Sequence, residues 1–368
     1  MEVVMMKKVL LVLIAELKEE WKRFLEWLEW VVMMKKVLLV LVVLSILLIS
    51  SCAKKAEKEP IKIGFVLSTM QEERYYKDKE HFIKVAKELG AKVIFDSAGN
   101  DEKAQLAKVE NILVRGVDVM VVQPVNSDTA STIVELCHES NVPVIAYDRI
   151  INNCELDFYV TQDSFKVGVL QAQAAVKATN YKGNYVICMG SSGHSVANEI
   201  TRGNLSILGK YPDVKIVLRQ NHPTWAPSEA MKTVENALTK YNNKIDAILC
   251  NNSGMARGAV EALREQALAG KVFVAGADAD LSNCQYITQG LQTLDVLKGI
   301  KPLASAAVKI AYKVAKKDVV KYDTTYNNGK IEVKSVLTPV WAFTKENIDE
   351  VIIKSGFHSH EEVYGKSE

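Results

Sequence analysis

Short, almost unbroken apolar runs recur along this chain from residue 61 onward, and between most of them lies a segment of about a dozen residues with helical periodicity. The runs fall at 61–67, 92–95, 117–122, 142–147, 158–161, 185–189, 215–218, 245–250 and 272–275. Val117-Asp118-Val119-Met120-Val121-Val122 is too continuously apolar for a half-exposed antiparallel strand, which would alternate between core and solvent. Leu106, Val109, Ile112 and Leu113 mark one helical face between runs, and Val260, Leu263 and Ala267 another. Parallel strands require such crossovers, so the repetition predicts an α/β fold whose parallel sheets are covered on both faces. At 368 residues the chain exceeds one average domain, which favours two sheets over one.

Open sheets of this kind place ligands beyond the carboxyl ends of their strands. Polar residues collect there. Arg74 and Tyr75 follow the first run, Gln123 and Asn126 the third, Asp148 and Arg149 the fourth, and Asp163 and Ser164 the fifth. Trp225 lies beyond the seventh, Asn252 follows the eighth and Asp278 the ninth. Lys and Arg number 46 against 44 Asp and Glu, a formal net charge of +2. That balance argues against a nucleic-acid partner, which needs a basic excess to neutralise phosphates, and fits an uncharged ligand.

The amino terminus carries a different signal. Met33-Met34-Lys35-Lys36 precedes an apolar run at 37–50 and then Ser51-Cys52. A basic start, a short apolar core and small residues before a break make the pattern of an export signal. The core has 14 residues, short of the about 20 that span a bilayer as a helix. Upstream, the eleven residues 3–13 recur identically at 31–41. Leu17, Trp21, Phe24, Leu25 and Leu28 form an amphipathic stripe between the copies. It reads either as a membrane-surface helix or, preferably, as a duplicated segment with the effective start at Met33 or Met34. The six cysteines include no C-x-x-C pair, and Cys137, Cys188 and Cys250 read as small buried hydrophobes.

Several catalytic motifs are absent. Gly190-Ser191-Ser192-Gly193 lacks the G-x-S-x-G spacing of a nucleophile elbow, and there is no P-loop. Asp96-Ser97-Ala98-Gly99-Asn100-Asp101 does not fit a calcium loop, and His358 and His360 read as solvated tail residues.

Other segments carry a family resemblance through their order and spacing. They are Glu73-Arg74-Tyr75-Tyr76-Lys77-Asp78, Arg115-Gly116-Val117-Asp118-Val119, Ala146-Tyr147-Asp148-Arg149 and Lys166-Val167-Gly168. Further along come Trp225, Glu235-Asn236-Ala237-Leu238, Asn243-Lys244-Ile245-Asp246-Ala247, Asp278-Ala279-Asp280-Leu281 and Lys354-Ser355-Gly356-Phe357-His358. Together they cover nearly all of 61–357 and resemble the type I periplasmic sugar-binding proteins of bacterial ABC transport, and within that family its xylose-binding members. Ile49-Ser50-Ser51-Cys52 likewise resembles a lipobox. That implies a lipoprotein signal peptide at 33–51, a lipidated Cys52 with its tether at 52–60, and a location in the periplasm or on the outer cell surface.

The resemblance implies an α/β fold of two Rossmann-like lobes with parallel sheets, joined by a three-strand hinge. The expected lobes are 61–161 plus 293–326 and 162–292 plus 327–358, with a tail at 359–368. It implies a monomeric binding protein, not an enzyme, with no cofactor and no metal. The protein would deliver a monosaccharide, a pentose and specifically D-xylose, to a membrane permease served by a separate ATPase subunit. Trp225 and Tyr75 would be stacking walls for the sugar, Tyr75 standing where a tryptophan is best known. Arg74, Asp148, Arg149, Asp163, Asn252, Asp278 and Lys298 would hold its hydroxyls, since charged groups form the stronger hydrogen bonds. Ser164 stands where the xylose binders have asparagine and Ser253 where they have aspartate, which leaves room for water or a slightly different sugar. Two other functions share these features: a sugar sensor presenting its closed form to a chemoreceptor or histidine kinase, and a carbohydrate-active enzyme using two of Asp148, Asp163 and Asp278.

Overall fold

The computed structural model describes residues 1–51 and 59–365. Cys52 and most of the expected tether lie outside the described residues. The chain divides into two units, 1–59 and 60–368. The first is one continuous helix, α1 (Glu2–Ser51), so both copies of the repeat and the stripe between them share a single rod. Among the described residues, no helix is long and apolar enough to cross a membrane.

The second unit alternates strand and helix as the apolar runs require. Its first series is β1 (Lys62–Leu67), α2 (Glu73–Glu88), β2 (Lys92–Ser97), α3 (Glu102–Val114), β3 (Val119–Val122), α4 (Ser131–Glu139), β4 (Val144–Tyr147) and β5 (Phe158–Gln162). Next come α5 (Ser164–Ala178), β6 (Gly183–Met189), α6 (Ser195–Leu208), β7 (Val214–Asn221), α7 (Pro227–Lys240), β8 (Ala247–Cys250), α8 (Ser253–Glu265), β9 (Phe273–Ala275), α9 (Leu281–Thr288) and β10 (Asp295–Lys298). The chain closes with α10 (Ile300–Ala315), β11 (Thr324–Asn327), β12 (Glu332–Thr338), β13 (Val340–Phe343), a π-helical turn (Asp349–Ile353) and α11 (His360–Tyr364).

Two sheets result. The first runs β11-β12-β5-β4-β3-β1-β2 and is parallel except for β11. The second, β7-β6-β8-β9, is wholly parallel, and a bridge from Ala275 to Leu294 leads on to β10, which pairs antiparallel with β13. Strand order therefore reverses between β1 and β3 in one lobe and between β6 and β8 in the other. Such switch points open a crevice at the carboxyl ends.

Each sheet is buried on both faces, which is why its strands read as unbroken apolar runs. Ile63, Phe65 and Leu67 of β1 pack on Phe82 of α2 and Leu303 of α10, while Val66 turns the other way toward Ile112 of α3. Tyr185 and Ile187 of β6 face α5 and α6; Val186 and Cys188 face α7 and α8. Gly168 and Gly203 let α5 and α6 touch backbone to backbone, because a Cβ at Gly168 would lie 1.9 Å from the Ile200 carbonyl. The described cysteines Cys137, Cys154, Cys188, Cys250 and Cys284 are all buried and unpaired.

The chain passes between the lobes from β5 to α5, from β10 to α10 and from β12 to β13. Strand pairing puts two passages later than the expected boundaries at 292/293 and 326/327. β10 is held by β13 in the second lobe, and β12 extends the first sheet beside β5. Neither strand shows an apolar run, since β10 buries Asp295 and Lys298 at its ends.

Candidate ligand-binding site

In the first lobe the site is a cross-braced set of charges at the ends of β1, β3 and β4. Arg74, in the first turn of α2, lies 3.3 Å from Asp78, 3.6 Å from Asp148 and 3.2 Å from Asp278 of the opposite lobe. Asp78 also accepts a hydrogen bond from the Tyr147 hydroxyl. Asp148 accepts from Gln123 Nε2 at 2.9 Å, and Gln123 in turn accepts from the Ser68 hydroxyl. Arg149 donates to the Pro124 carbonyl at 2.9 Å and to the Tyr75 hydroxyl at 3.0 Å. Asp148 has φ 64°, a left-handed conformation that costs about 1–3 kcal/mol outside glycine. The hydroxyls of Tyr159 and Thr161 secure it by donating to the Asp148 carbonyl.

The second lobe brings its groups on loops and helix starts. Trp225 (φ 61°) and Asp278 (φ 109°) both sit in left-handed backbone. Asp278 accepts from Lys298 Nζ at 3.1 Å as well as from Arg74. Trp225 packs over Gly190, where a Cβ would lie 2.1 Å from the indole, and its ring is 4.6 Å from His194. Asn252 caps α8 by accepting from the Met255 amide at 2.8 Å.

These groups enclose a small cavity of about 20 Å³ lined by Glu72, Arg74, Tyr75, Asp148, Arg149, His194, Val196, Trp225, Asn252, Asp278 and Lys298. That is room for about one water. Two grooves of about 340 and 480 Å³ adjoin it, and Glu72 and Trp225 line all three. Within the cavity wall, Glu72 Oε2, Arg74 Nη2, Asp148 Oδ1, Arg149 Nε and both nitrogens of His194 are buried with no hydrogen-bond partner. An unmade buried hydrogen bond costs about 1–3 kcal/mol. So dense a convergence suits a molecule that both donates and accepts at several points.

The electrostatics favour the charged forms of Asp148 and Arg74 but not of every first-lobe acid. Burial opposes ionisation of Asp148, but Arg74, Lys298 and Arg149 outweigh it and hold its carboxyl below the usual range. Burial likewise disfavours the Arg74 charge, and Asp148, Asp78 and Asp278 more than offset that. Burial raises Asp78 to about 6 and raises Glu72 despite Arg149. Burial, then Arg149, Lys298 and Arg74, drive His194 well below its ordinary value, so its ring is neutral and offers one donor and one acceptor.

The structure thus brings together Arg74, Tyr75, Asp148, Arg149, Trp225, Asn252, Asp278 and Lys298. Of the neighbouring tyrosines, Tyr75 is 4% exposed and lines the cavity while Tyr76 is 61% exposed. Lys298 ends β10 and is buried. Asp163 and Ser164 fall elsewhere. Asp163 caps α5 through the Lys166 amide at 2.9 Å, and Ser164 lines a separate cavity behind the passage from β5. His358 is no solvated tail residue: it is buried and bonds the Ala279 carbonyl at 2.8 Å. Glu72 and His194 were not singled out by the sequence reading. The rule that found the others reaches His194, which opens the helix after β6.

A family model described as "Periplasmic binding protein domain" matches residues 63–318. The chain is 41% identical over 321 residues to the D-xylose-binding periplasmic protein of Escherichia coli (strain K12), covering 86% of this chain and 96% of that one. To the D-xylose-binding periplasmic protein of Haemophilus influenzae it is 37% identical, covering 85% and 95%. Among solved structures, an ABC transporter solute-binding protein from Clostridium phytofermentans with bound β-D-glucose superposes with a TM-score of 0.76 at 25% identity, covering 82% of this chain and 99% of that chain.

Proposed function

The chain belongs to the periplasmic binding protein domain family, whose members are substrate-binding proteins and not enzymes, and we propose that it is the extracytoplasmic sugar-binding component of an ABC importer, with D-xylose as its ligand. One observation carries the reading: buried polar atoms without partners, drawn from both lobes, converge beside an indole face. A pentopyranose matches both halves of that description, with hydroxyls around its rim and C–H groups on its faces.

The mechanism is closure on the ligand. Arg74 to Asp278, the Glu73 carboxylate to the Leu281 amide, and Lys77 to the Phe357 carbonyl already tie one lobe to the other. The central cavity is smaller than a pyranose ring, so entry requires the lobes to part or Trp225 to swing toward the grooves it separates. Sugar bridging the two sets of groups then stabilises the closed form by its differential affinity for it. The closed face would be what the permease reads. Anchoring through Cys52 rests on the lipobox-like sequence, and Cys52→Ala should move the protein from the membrane fraction into the soluble one.

A thermal-shift panel of pentoses and hexoses, followed by calorimetry, tests the ligand. D-xylose should give the largest shift, since a ligand bound only by the folded state raises its apparent stability. No shift with any monosaccharide would defeat the proposal, and a hexose preferred over xylose would defeat its specific form.

A further inference from the structure

A second cavity, about 200 Å³ against about 20 Å³ at the indole, lies behind the cleft where the chain leaves β5. Ser127, Asp128 and Asn152 reach it from the first lobe, Ser195, Asn198 and Glu199 from α6 of the second, and Gln162 from the passage between them. Gln162 is 0% exposed, and neither its amide nitrogen nor its amide oxygen has a hydrogen-bond partner. The Ser127 hydroxyl, 1% exposed, has none either. Buried polar side chains are normally satisfied, so two unpaired in one wall mark a place where something else makes those bonds.

The lining fixes the chemistry of the occupant. No lysine or arginine faces the cavity, which disfavours an anion. Its acids are already engaged: Glu199 by Arg202 at 2.6 Å, and Asp128 by the Asn152 amide at 2.7 Å. A cation therefore finds no free carboxylate pair. An amide that lacks both a donor and an acceptor partner is complemented by hydroxyl groups, which supply each. Tyr159 and Tyr326, edge to face at 5.6 Å, add an apolar wall for C–H groups. On the measure that leaves the central cavity room for about one water, this cavity holds about ten.

We propose that this cavity is a second binding site, for a small neutral polyol of four or five carbons. Because its wall is shared by both lobes, the site is complete only when they are closed. Lobe contacts at its edge already follow that geometry, with the Ile150 amide donating to the Ser195 hydroxyl and the Ser127 amide to the Gly193 carbonyl. An occupant strengthens binding in the main cleft, and sugar in the cleft strengthens the occupant by the same factor. The coupling rests on the sugar-binding reading above; the site itself does not.

Erythritol is the probe, titrated calorimetrically into the full chain saturated with D-xylose and, separately, into Trp225→Ala with no sugar present. The expected result is one erythritol site in both, tighter in the sugar-saturated chain and weakened at least tenfold in Gln162→Leu and in Ser127→Ala, while D-xylose binding by those variants without erythritol stays within threefold of wild type. Erythritol binding that is absent, that survives both substitutions, or that D-xylose displaces one for one would overturn the proposal. So would a crystal grown with erythritol that shows only ordered water in the cavity. If D-xylose fails to bind at all, the titration of Trp225→Ala still decides the second site.

Discussion

The two lobes share one strand order, β2-β1-β3-β4 in the first and β7-β6-β8-β9 in the second, yet the balance between burial and pairing differs at their carboxylates. In the first lobe the central carboxylate, Asp148, has cations and a donor fixed against it. Asp148 is held below the usual carboxylate range by Arg74, Lys298 and Arg149 against the pull of burial. In the second lobe Asp278 is paired with Arg74 and Lys298, but at Asp280 and Asp295 burial wins. Asp280 rises to about 8 through burial and the charges of Asp278, Glu73 and Asp295, with Arg257 offsetting only part. Asp295 rises to about 7 through burial although Gln292, Ser253 and the Ala279 amide donate to it. The same topology thus yields a prebuilt receptor on one side and a cover on the other. In the proposed site the receptor side supplies charges organised in advance; the cover adds Asp278 and Lys298, an aromatic plane and neutral polar groups.

Substitutions can break that contrast. The largest effect belongs to Asp148→Ala, because removing one member of a buried charge set costs about 3–5 kcal/mol. Affinity for D-xylose should fall more than about 100-fold, with a lower melting temperature, by calorimetry and thermal denaturation. Trp225→Ala comes next. Truncating an aromatic anchor costs about 2 kcal/mol, so affinity should drop roughly 10- to 100-fold while the melting temperature barely moves, since Trp225 sits on a loop. A greater loss of affinity in Trp225→Ala than in Asp148→Ala would reverse the roles assigned to the lobes.

Asp280→Asn sharpens the contrast on the stability side. The folded value of Asp280, about 8, lies above the unfolded value of about 3.9, so the folded state holds a proton that the unfolded state has released. That contribution is complete below about pH 4 and is lost as pH rises through about 8. The variant should melt with the wild type near pH 4 and several degrees higher at pH 8. Equal melting at both pH values would remove the unpaired carboxylate from the argument. Smallest is Lys77→Met at the rim, where Lys77 donates to the Phe357 carbonyl and lies 4.0 Å from the Phe357 ring centroid. A partly exposed contact of this kind is worth about 0.5–1 kcal/mol, so D-xylose affinity should fall about twofold; a tenfold loss would mean that the rim, not the receptor, governs closure.

Much of this was legible in the sequence because burial on both faces writes itself as apolar runs. All nine expected runs became strands, from Lys62–Leu67 to Phe273–Ala275. The strands that escaped, β10 to β13, did so for specific reasons. In β10, Asp295 and Lys298 are buried by hydrogen bonds and ion pairs, which hydrophobic patterning does not see; β11 is the sheet edge, β12 beside it begins with alternating exposed and buried residues, and β13 is apolar but only four residues long. In the site, the polar ends of strands pointed to Arg74, Asp148, Arg149 and Asp278. Asp163 misled because an aspartate at a helix start satisfies the helix's own amides as readily as a ligand. His194 escaped because the Gly190-Ser191-Ser192-Gly193 loop before it carries no charged or aromatic residue to mark it.

The interleaved path between lobes also orders the birth of the molecule. Strand β12, the neighbour of β5, and strand β13, the neighbour of β10, are emitted after nine-tenths of the polypeptide has been made. Neither half can be completed until those strands are made, so both stay open-edged until the last few dozen residues emerge. A chain released before Glu332 would leave β5 without its outer neighbour and β10 without its partner, an invitation to pair with other chains. A chain cut short there should therefore aggregate more readily than the full one.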